Sequence, residues 1–488
     1  MGRERDESVL DMSLFSLLFS YYRTTRNHVV KIVVEKTRGR RTTILLLLLL
    51  LLLLMSSSIR NALKKATTFS TFCATNSSSS SGWASRFGCA AAVVESSRNH
   101  HQSKNLGGIF KRRYADDAGL KKTVLYDFHV KNGGKMVEFA GFSMPIQYKD
   151  SIMEATQHCR TKASLFDVSH MLGSSFKGKD AVKFVESITV ADVKGLADGT
   201  GTLSVVTNDN GGIIDDTVVT KVNDEWIYVV LNAGCADKDK AHINKHLAKF
   251  DGDCKFIEHS DRSLFALQGP KAMETLQKLT DADLSKLYFG MFKEMTVSGQ
   301  PCWVTRTGYT GEDGFEISVP VPGTLKLVED LVADENVRLC GLGARDSLRL
   351  EAGLCLYGND LSEETTPPEA GLTWTIGKAR RDTFSFPGGE RIRKQIEEGV
   401  PQRRVGFEFL EKGAPARQHS KILDMDGKEV GEISSGGFSP VLGKNIAMGY
   451  VPKALAKAGT EVQVETRGKK TRAVVKKMPF VNTTYYKP

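Results

Sequence analysis

The sequence has few cysteines and none in a paired spacing. Eight of its 488 residues are cysteine, and those in the body of the chain contain no Cys-x-x-Cys pair; they are Cys159, Cys235, Cys254, Cys302, Cys340 and Cys355. This spacing favours neither a zinc site nor a disulfide framework. His242 and His246 lie one helical turn apart, but two neutral ligands do not make a metal site, and we expect surface histidines there. The sequence therefore predicts no metal site.

No apolar run is long enough to cross a bilayer. The longest, at 44–55, has 12 residues, whereas a membrane-spanning helix needs ~20. With Arg40 and Arg41 before it, the run resembles the hydrophobic region of a secretory signal, although it begins far from the first residue. From Met55 to Ala115 the chain has nine Lys and Arg but a single acid, which is typical of an organellar transit peptide. We therefore predict translation from Met55 or an over-extended gene model, with membrane contact only during import.

The body of the chain lacks a basic excess. A formal net charge of +10 would suggest nucleic acid or an anionic membrane as a partner. Residues 1–115, however, hold 18 Lys and Arg against 6 Asp and Glu, while residues 116–488 hold 49 against 51. We interpret 1–115 as a largely disordered leader. A near-neutral body without a nucleic-acid-binding motif predicts that nucleic acid is not a partner.

Apolar periodicity divides the body into two parts. Strand and helix patterns intermix over 116–385, with strands within 201–231 and helices near 151–161, 237–250 and 270–279, which indicates an α+β fold. From residue 405 onward five short alternating strands predict a β-barrel or sandwich. Because glycine and proline cluster between the two patterns, we predict domains at 116–385 and 386–488.

Two adjacent carboxylates occur in the stretch GGIIDDTVV at 211–219. The glycine pair predicts a turn that opens a strand, and strand side chains alternate, so Asp215 and Asp216 face opposite sides. At most one of them can enter a given cavity. Because Thr217 makes the Asp215 face more polar, we place Asp216 on the drier side, where it needs a cationic or hydrogen-bonding partner. By itself the pattern also fits an edge strand with two solvated acids.

Nine longer segments follow one another through residues 120–488. They are LYDFH, FAGFSMPIQY, SLFDVSHM, GGIIDD, NAGC, LQGP, TRTGYTGEDGFEISVP, ARDSLRLEAGLCLYGND and KMPFVNTTYYKP. Together they resemble the aminomethyltransferase family, the T-proteins of the glycine cleavage system. The resemblance implies a three-lobed α+β fold around a central folate channel, with a C-terminal β-barrel lobe.

The resemblance also implies a reaction and its setting. The aminomethyl group on the lipoyl arm of the H-protein gives its carbon to tetrahydrofolate, the co-substrate, with release of ammonia and formation of 5,10-methylene-tetrahydrofolate. The implied partners are the lipoylated H-protein and the P- and L-proteins. The implied location is the mitochondrial matrix, and neither a metal nor a flavin is expected.

Site residues follow from the resemblance by position. Asp216 corresponds to the essential carboxylate, which stabilises developing positive charge or relays a proton and is expected to be ionised at working pH. Glu316 corresponds to the acid that holds the pterin, and Arg345 to a substrate-contacting arginine. Tyr309 would supply an aromatic wall, and Tyr485 a folate contact from the C-terminal tail.

Other roles remain open at some of these positions. Asn232 is expected to line the channel as a polar residue. Asp167 and His170 are acid/base candidates that we interpret as mainly architectural, holding a loop beside the channel. Without the resemblance, Glu316 would be an exposed strand acid, Tyr309 core filling, and Arg345 a partner of the neighbouring Asp346.

Two other protein classes share parts of this pattern. Folate-dependent dimethylglycine or sarcosine dehydrogenases have a similar C-terminal half, but they carry a flavin domain, and no Gly-x-Gly-x-x-Gly follows a strand here. A folate-binding iron–sulfur assembly scaffold would show Lys-Gly-Cys-Tyr-x-Gly-Gln-Glu, whereas residues 306–313 are RTGYTGED. The sequence therefore favours the transferase.

Overall fold

The computed structural model describes residues 119–488, so the predicted leader at 1–115 lies outside the described residues. Within them, the chain forms a five-stranded sheet, a six-stranded sheet and a closed six-stranded barrel, with a small three-stranded sheet beside them. The predicted α+β class with a C-terminal barrel is confirmed. None of the helices between 119 and 488 combines the length and the apolar composition needed to cross a membrane.

The first lobe is an antiparallel five-stranded sheet that carries both aspartates. In spatial order its strands are β6 (Thr200–Thr207), β7 (Ile213–Asn223), β8 (Trp226–Leu231), β5 (Leu172–Lys177) and β9 (Lys255–Glu258). One face of this sheet packs against α3 (Ala181–Ile188) and α4 (Ala236–Leu247), where Phe184 and Ile243 bury Val219 of β7. Since side chains alternate along a strand, this packing buries the odd-numbered face of β7 and leaves the even-numbered face for another role.

The second lobe is a six-stranded sheet. Its order is β11 (Phe292–Val297), β12 (Gln300–Thr305), β13 (Gly314–Pro320), β10 (Arg262–Gln268), β4 (Ala163–Asp167) and β14 (Val337–Leu339). Only the pairing of β14 with β4 is parallel within this sheet. Helices α5 (Ala272–Gln277) and α6 (Thr324–Val332) pack against it, and Phe265, Phe315 and Leu327 lie fully buried in its core. As predicted, a polar glycine-rich loop joins β12 to β13.

The N-terminal segment of the described chain is fixed to the second lobe through Asp167. It comprises β1 (Lys121–Lys122), α1 (Tyr126–Lys131), β2 (Lys135–Phe139), β3 (Phe142–Gln147) and α2 (Ile152–Thr161). The buried Asp167 carboxylate accepts hydrogen bonds from Thr123 (2.7 Å), from His129 (2.9 Å) and from the backbone N–H of Ser169 (2.9 Å). These bonds give Asp167 the architectural role that the sequence suggested.

A helical segment leads from the two sheets to the barrel. It contains α7 (Leu342–Glu351), α8 (Arg380–Thr383) and α9 (Gly389–Glu398). Phe386 and Ile392 pack with Val205 and Ile213 of the first lobe. The barrel begins at Gln402, after α9, whereas the domain boundary predicted from the sequence falls at 385–386.

The third lobe is the closed barrel. Its strands are β15 (Gln402–Phe409), β16 (Lys421–Leu423), β17 (Glu429–Ser439), β18 (Lys444–Pro452), β19 (Glu461–Thr466) and β20 (Lys469–Lys476). Around the barrel they pair in the order β15, β18, β17, β16, β19, β20. Each of the five predicted strands lies within one of these. Strand β16 was missed because three residues are too few to show an alternating pattern.

A buried ion pair joins α7 to the barrel. The Arg349 side chain is 2% exposed, and its Nη1 lies 2.8 Å from a carboxylate oxygen of Asp360, whose side chain is fully buried. Its Nε donates to Asp346 (2.9 Å) and its Nη2 donates to Ser435 of β17 (2.9 Å). Removing one partner of such a pair leaves the other charge buried without compensation.

We therefore expect Arg349→Ala to destabilise the fold by about 3–5 kcal/mol, because Asp360 would lose its buried cation. The matched control is Arg472→Ala, which removes an exposed barrel arginine paired with Glu411 at 2.9 Å and should leave the free energy of unfolding nearly unchanged. Chemical denaturation followed by circular dichroism measures both variants. Equal losses of unfolding free energy in the two variants would show that the buried ion pair stabilises the fold no more than the exposed one.

Candidate active site

One cavity of about 1280 Å³ lies where the two large sheets, the barrel and the C-terminal tail meet. Its lining contains all six residues that the sequence singled out, and they are Asp216, Asn232, Tyr309, Glu316, Arg345 and Tyr485. These residues come from five separate stretches of the chain after β6. The fold therefore brings them together in one cavity.

The predicted placement of Asp216 on the drier side of its strand is wrong. Asp215 is the fully buried acid, because its face of β7 packs against α3 and α4. Asp216 is half-buried and lines the cavity. The Thr217 hydroxyl misled the comparison of faces, because it donates to the Val230 carbonyl at 2.7 Å and so is satisfied within the sheet. Strand alternation did separate the two acids as expected.

A tight turn places the start of β7. Gly211 has a φ of 76°, a conformation that glycine adopts without strain. A Cβ on Gly212 would lie 1.7 Å from the Glu363 carbonyl oxygen, so only glycine fits there. The Asn208 side chain accepts from the Gly212 N–H (3.0 Å) and donates to the Glu363 carbonyl (2.9 Å). The paired glycines thus fix where the two aspartates enter the sheet.

Asn232 does more than line the cavity. It follows β8, and its backbone N–H and its Nδ2 each donate to one oxygen of Asp215 at 2.9 Å. The same Nδ2 lies 3.1 Å from Oδ1 of Asp216 and 3.0 Å from the Asp216 carbonyl oxygen. One amide therefore orients both carboxylates, a role that the NAGC motif did not reveal.

The expectation that Asp216 is simply ionised needs correction. Burial, followed by the negative charge of Asp215, raises the pKa of Asp216 to about 7, while the hydrogen bond from Asn232 opposes the shift. Near neutral pH the carboxyl group of Asp216 is therefore present in both forms. A group with a pKa close to the working pH suits proton transfer in either direction.

A second group of residues in the cavity centres on an arginine. Arg345 projects from α7, and its guanidinium lies 4.6 Å from the ring centre of Tyr309. The Tyr309 hydroxyl donates to the Cys355 carbonyl, which holds the ring in place. Glu316 on β13 lines the same cavity, where burial raises its pKa and the charge of Arg345 opposes that rise. The alternative pairing of Arg345 with Asp346 is not adopted, because Asp346 bonds to Arg349 instead.

The C-terminal tail folds back onto the cavity. Tyr485 stacks on Phe289 with ring centres 4.2 Å apart, and Tyr486 stacks on Tyr288 at 5.6 Å. The backbone N–H of Phe289 donates to the Tyr486 carbonyl at 2.8 Å. The guanidinium of the buried Arg306 lies 4.0 Å from the ring centre of Tyr486. Sequence analysis missed Phe289, for which the aromatic pair in LYFGMF was the available signal.

Three histidines named in the sequence analysis are half-buried or buried. His242 and His246 are half-buried, with ring centres 4.4 Å apart, and burial lowers the pKa of His242 to about 4. His170 is 3% exposed, and within residues 119–488 neither of its ring nitrogens has a hydrogen-bond partner. Its ring packs edge-on against Phe139 at 5.5 Å. Burial, followed by the charge of Arg345, lowers the pKa of His170 to about 4.

Behind β7 lies a buried acidic group that sequence analysis did not find. Asp215, Cys235 and Asp239 bring one side-chain oxygen or sulfur each within 4.8 Å of one another. All three residues are at most 2% exposed. The available signal was the helical spacing of Asp239 and Ile243, which places the acid on the inner face of α4.

Comparison with known proteins defines the class of this molecule. The GCVT N-terminal domain matches residues 125–380, and the glycine cleavage T-protein C-terminal barrel domain matches residues 402–482. An α+β pair of lobes followed by a barrel, with one cavity between them, is thus the architecture of a folate-type aminomethyltransferase. The chain belongs to the glycine cleavage T-protein family.

Individual relatives agree with this assignment. The mitochondrial aminomethyltransferase of Solanum tuberosum is 61% identical over 385 residues, which cover 78% of this chain and 94% of that protein. The mitochondrial aminomethyltransferase of Homo sapiens is 50% identical over 75% of this chain and 91% of that protein. The crystal structure of aminomethyltransferase T from Bartonella henselae has a TM-score of 0.72 and 39% identity, covering 75% of this chain and 100% of that one. The predicted family and enzyme class are confirmed.

The two adjacent acids give a first test of the site. We expect Asp215→Asn to lower the pKa of Asp216 below about 7, because a neighbouring negative charge would be removed while burial remains. Carboxyl NMR titration of Asp216 measures the change. The control Asp224→Asn, at an exposed turn after the same strand, should leave the pKa of Asp216 unchanged. An unchanged value in Asp215→Asn would mean that burial alone sets the pKa.

Proposed function

We propose that this aminomethyltransferase transfers the one-carbon unit from the aminomethyl-lipoyl arm of an H-protein to tetrahydrofolate. Ammonia leaves, and 5,10-methylene-tetrahydrofolate and the dihydrolipoyl carrier are the products. The observation that carries the proposal is the meeting of Asp216, Glu316 and Arg345 in one cavity, although they come from two sheets and a helix. A cavity of about 1280 Å³ is large enough to hold both a folate and the end of a lipoyl arm.

The proposed reaction is balanced and requires two proton transfers. One folate nitrogen forms a bond to the methylene carbon as the bond between that carbon and the amine nitrogen breaks. A second folate nitrogen then displaces the sulfur from the same carbon. Two N–H protons leave the folate nitrogens, and one is gained by the departing amine and one by the thiolate. A group that alternately accepts and donates a proton serves both halves, and Asp216 with its pKa near 7 has this property.

The same carboxylate also acts through its charge. Positive charge develops on the methylene unit when either the amine or the sulfur departs. The ionised form of Asp216 stabilises that cation in a site where the surrounding protein screens charge weakly. Asn232 keeps the carboxylate oriented, so little reorganisation is needed during the reaction.

Glu316 and the aromatic residues supply the folate side of the proposal. A carboxylate accepts two N–H donors at the amino-pyrimidine edge of a pterin, and such charge-assisted bonds are stronger than neutral ones. Glu316 has no cationic hydrogen-bond partner among the described residues, so its acceptors are available to a ligand. Tyr309 and Tyr485 offer ring faces along the same cavity.

The setting follows from the family and from the names of the relatives. The curated relatives are mitochondrial proteins, and we place this chain in the mitochondrial matrix. We propose the lipoylated H-protein as the direct partner and the P- and L-proteins as further components. Tetrahydrofolate is the co-substrate, and the proposed steps use neither a metal nor a flavin.

A direct assay tests this function against its rivals. Purified protein, tetrahydrofolate and aminomethylated H-protein should give methylene-tetrahydrofolate without added flavin. A requirement for flavin would favour the demethylase-like class. Folate binding without any transfer would favour the scaffold class.

One prediction for the proposed function concerns the proton-transfer residue, Asp216. Asp216→Asn should retain tetrahydrofolate binding but lower the transfer rate by roughly 10²–10⁴-fold, because the proton-transfer group is removed. Stopped-flow or single-turnover measurement with saturating carrier gives the rate. Asp224→Asn is the matched control, since Asp224 is an exposed residue in the turn after β7. Full activity in Asp216→Asn would rule out the assignment.

The second prediction concerns the folate-holding acid. Glu316→Gln should raise the Kd for tetrahydrofolate by roughly 10–100-fold, which corresponds to the loss of a hydrogen bond to a charged group. At saturating folate the transfer rate should change little. Calorimetric titration measures the affinity, and Glu294→Gln, an exposed acid on β11, is the control. An unaltered affinity would place the pterin elsewhere.

A further inference from the structure

We propose that Asp239 is a neutral carboxylic acid that shares one proton with Asp215 and thereby positions Asp216. Asp239 lies in the first turn of α4, on the side of β7 opposite the cavity. It is a positioning residue, because it acts through Asp215 and does not line the cavity. Nothing in the proposed reaction assigns it a role.

The hydrogen bonds around the two buried acids are unequal. Both oxygens of Asp215 receive donors from Asn232 at 2.9 Å. Within residues 119–488, neither oxygen of Asp239 receives a hydrogen bond from a donor, although the residue is 1% exposed. A buried carboxylate without donors costs several kcal/mol, so the ionised form of Asp239 is disfavoured. The neutral form turns one of its oxygens into a donor.

A carboxylate acceptor for this donor lies nearby in Asp215. The carboxyl groups of Asp215 and Asp239 bring one oxygen each within 4.8 Å of each other. Two ionised carboxylates that close repel in a buried site, and one shared proton removes the repulsion. Burial, followed by the charge of Asp215, raises the pKa of Asp239 to about 10, which agrees with a proton held at neutral pH.

The shared proton influences Asp216 through a short chain of contacts. Asp239 donates to Asp215, Asp215 accepts from Asn232, and Asn232 contacts Asp216 at 3.1 Å. The shared proton also reduces the charge next to Asp216 from two negative units to one. Asp216 can therefore ionise near neutral pH instead of remaining protonated.

Other charged and titratable groups face these acids from the surrounding elements. Each of them is linked by charge or by a hydrogen bond to at least one of Asp215, Asp216 and Asp239, and they are Cys235, Lys238, Tyr309, Cys355, Tyr357 and Asp360. Lys238 is the cation among them, but its Nζ lies against the Tyr357 hydroxyl and 3.5 Å from Glu363. It does not bond to Asp239, so a proton remains the balancing charge.

A bound cation is the competing explanation for this cluster. Both oxygens of Asp215 already accept hydrogen bonds from Asn232, which favours a proton over a cation between the carboxyl groups. The two explanations differ in metal content, which elemental analysis measures directly.

Infrared spectroscopy tests the shared proton without reference to activity. At pH 8, difference spectra of the full chain minus Asp239→Asn should show a carboxylic-acid C=O band, because Asp215 stays ionised in the variant. Asp237→Asn, an exposed acid in the same helical turn, should show no such band. A featureless Asp239 difference spectrum would overturn the proposal. Elemental analysis that finds one equivalent of a bound divalent cation, which a chelator removes, would also overturn the proposal.

A pH profile tests the positioning role, and this arm rests on the proposed transferase function. Asp239→Asn keeps a donor for Asp215, so the acid limb of its pH–rate profile should have the same midpoint as in the parent enzyme. Asp239→Leu removes the donor and concentrates the charge on Asp215, which should move that limb upward by roughly one pH unit. Equal limbs in the two variants would show a packing role and overturn the inference. Loss of the transfer reaction in the parent enzyme would instead refute the proposed function, and the infrared result would stand.

Discussion

The active centre depends on holding two carboxylates side by side on one buried strand. Like charges at neighbouring positions raise each other's pKa, and burial adds to the effect. The fold manages this repulsion by giving the two acids opposite faces of β7 and a common hydrogen-bond donor, Asn232. Asp216 is then left with a pKa near 7 rather than that of an ordinary aspartate. The pKa of Asp216 thus depends partly on Asp215, which does not line the cavity.

The cavity itself depends on ionic contacts that tie separate lobes together. Arg160 on α2 lies 2.8 Å from Glu312 and 2.8 Å from Glu351 at the end of α7. The other oxygen of Glu351 accepts from Ser439 of the barrel at 2.6 Å, and its backbone carbonyl accepts from the N–H of Phe480 in the tail. Glu351 therefore connects α2, the barrel and the tail, and Arg160 extends this network to the loop between β12 and β13. Ion pairs of this kind fix geometry more than they add stability.

Much of this structure was predictable from the sequence, and the failures have physical causes. Long periodic segments such as β7 and α4 were recognisable because burial imposes a regular pattern on them. The face of β7 was misjudged because one hydroxyl, on Thr217, looked like a sign of exposure but is satisfied by the Val230 carbonyl. The resemblance named the six cavity residues, but it could not reveal contacts such as that of Phe289 with Tyr485. Those contacts depend on how the tail folds back, which no local pattern encodes.

The charges around the cavity are separated in a way that gives a ligand one orientation. The sheets contribute the acids Asp216 and Glu316, with Arg345 as the cation beside them. The barrel and tail contribute exposed basic residues to the same lining, including Arg403, Lys477 and Lys487. A folate has N–H donors at its pterin end and carboxylates at its glutamate end. Under the proposed function, the acids match the pterin end and the basic residues match the glutamate end, because the reverse pairing would bring like charges together. The proposed proton-transfer group, Asp216, is one of those acids, so binding and proton transfer would involve the same end of the folate.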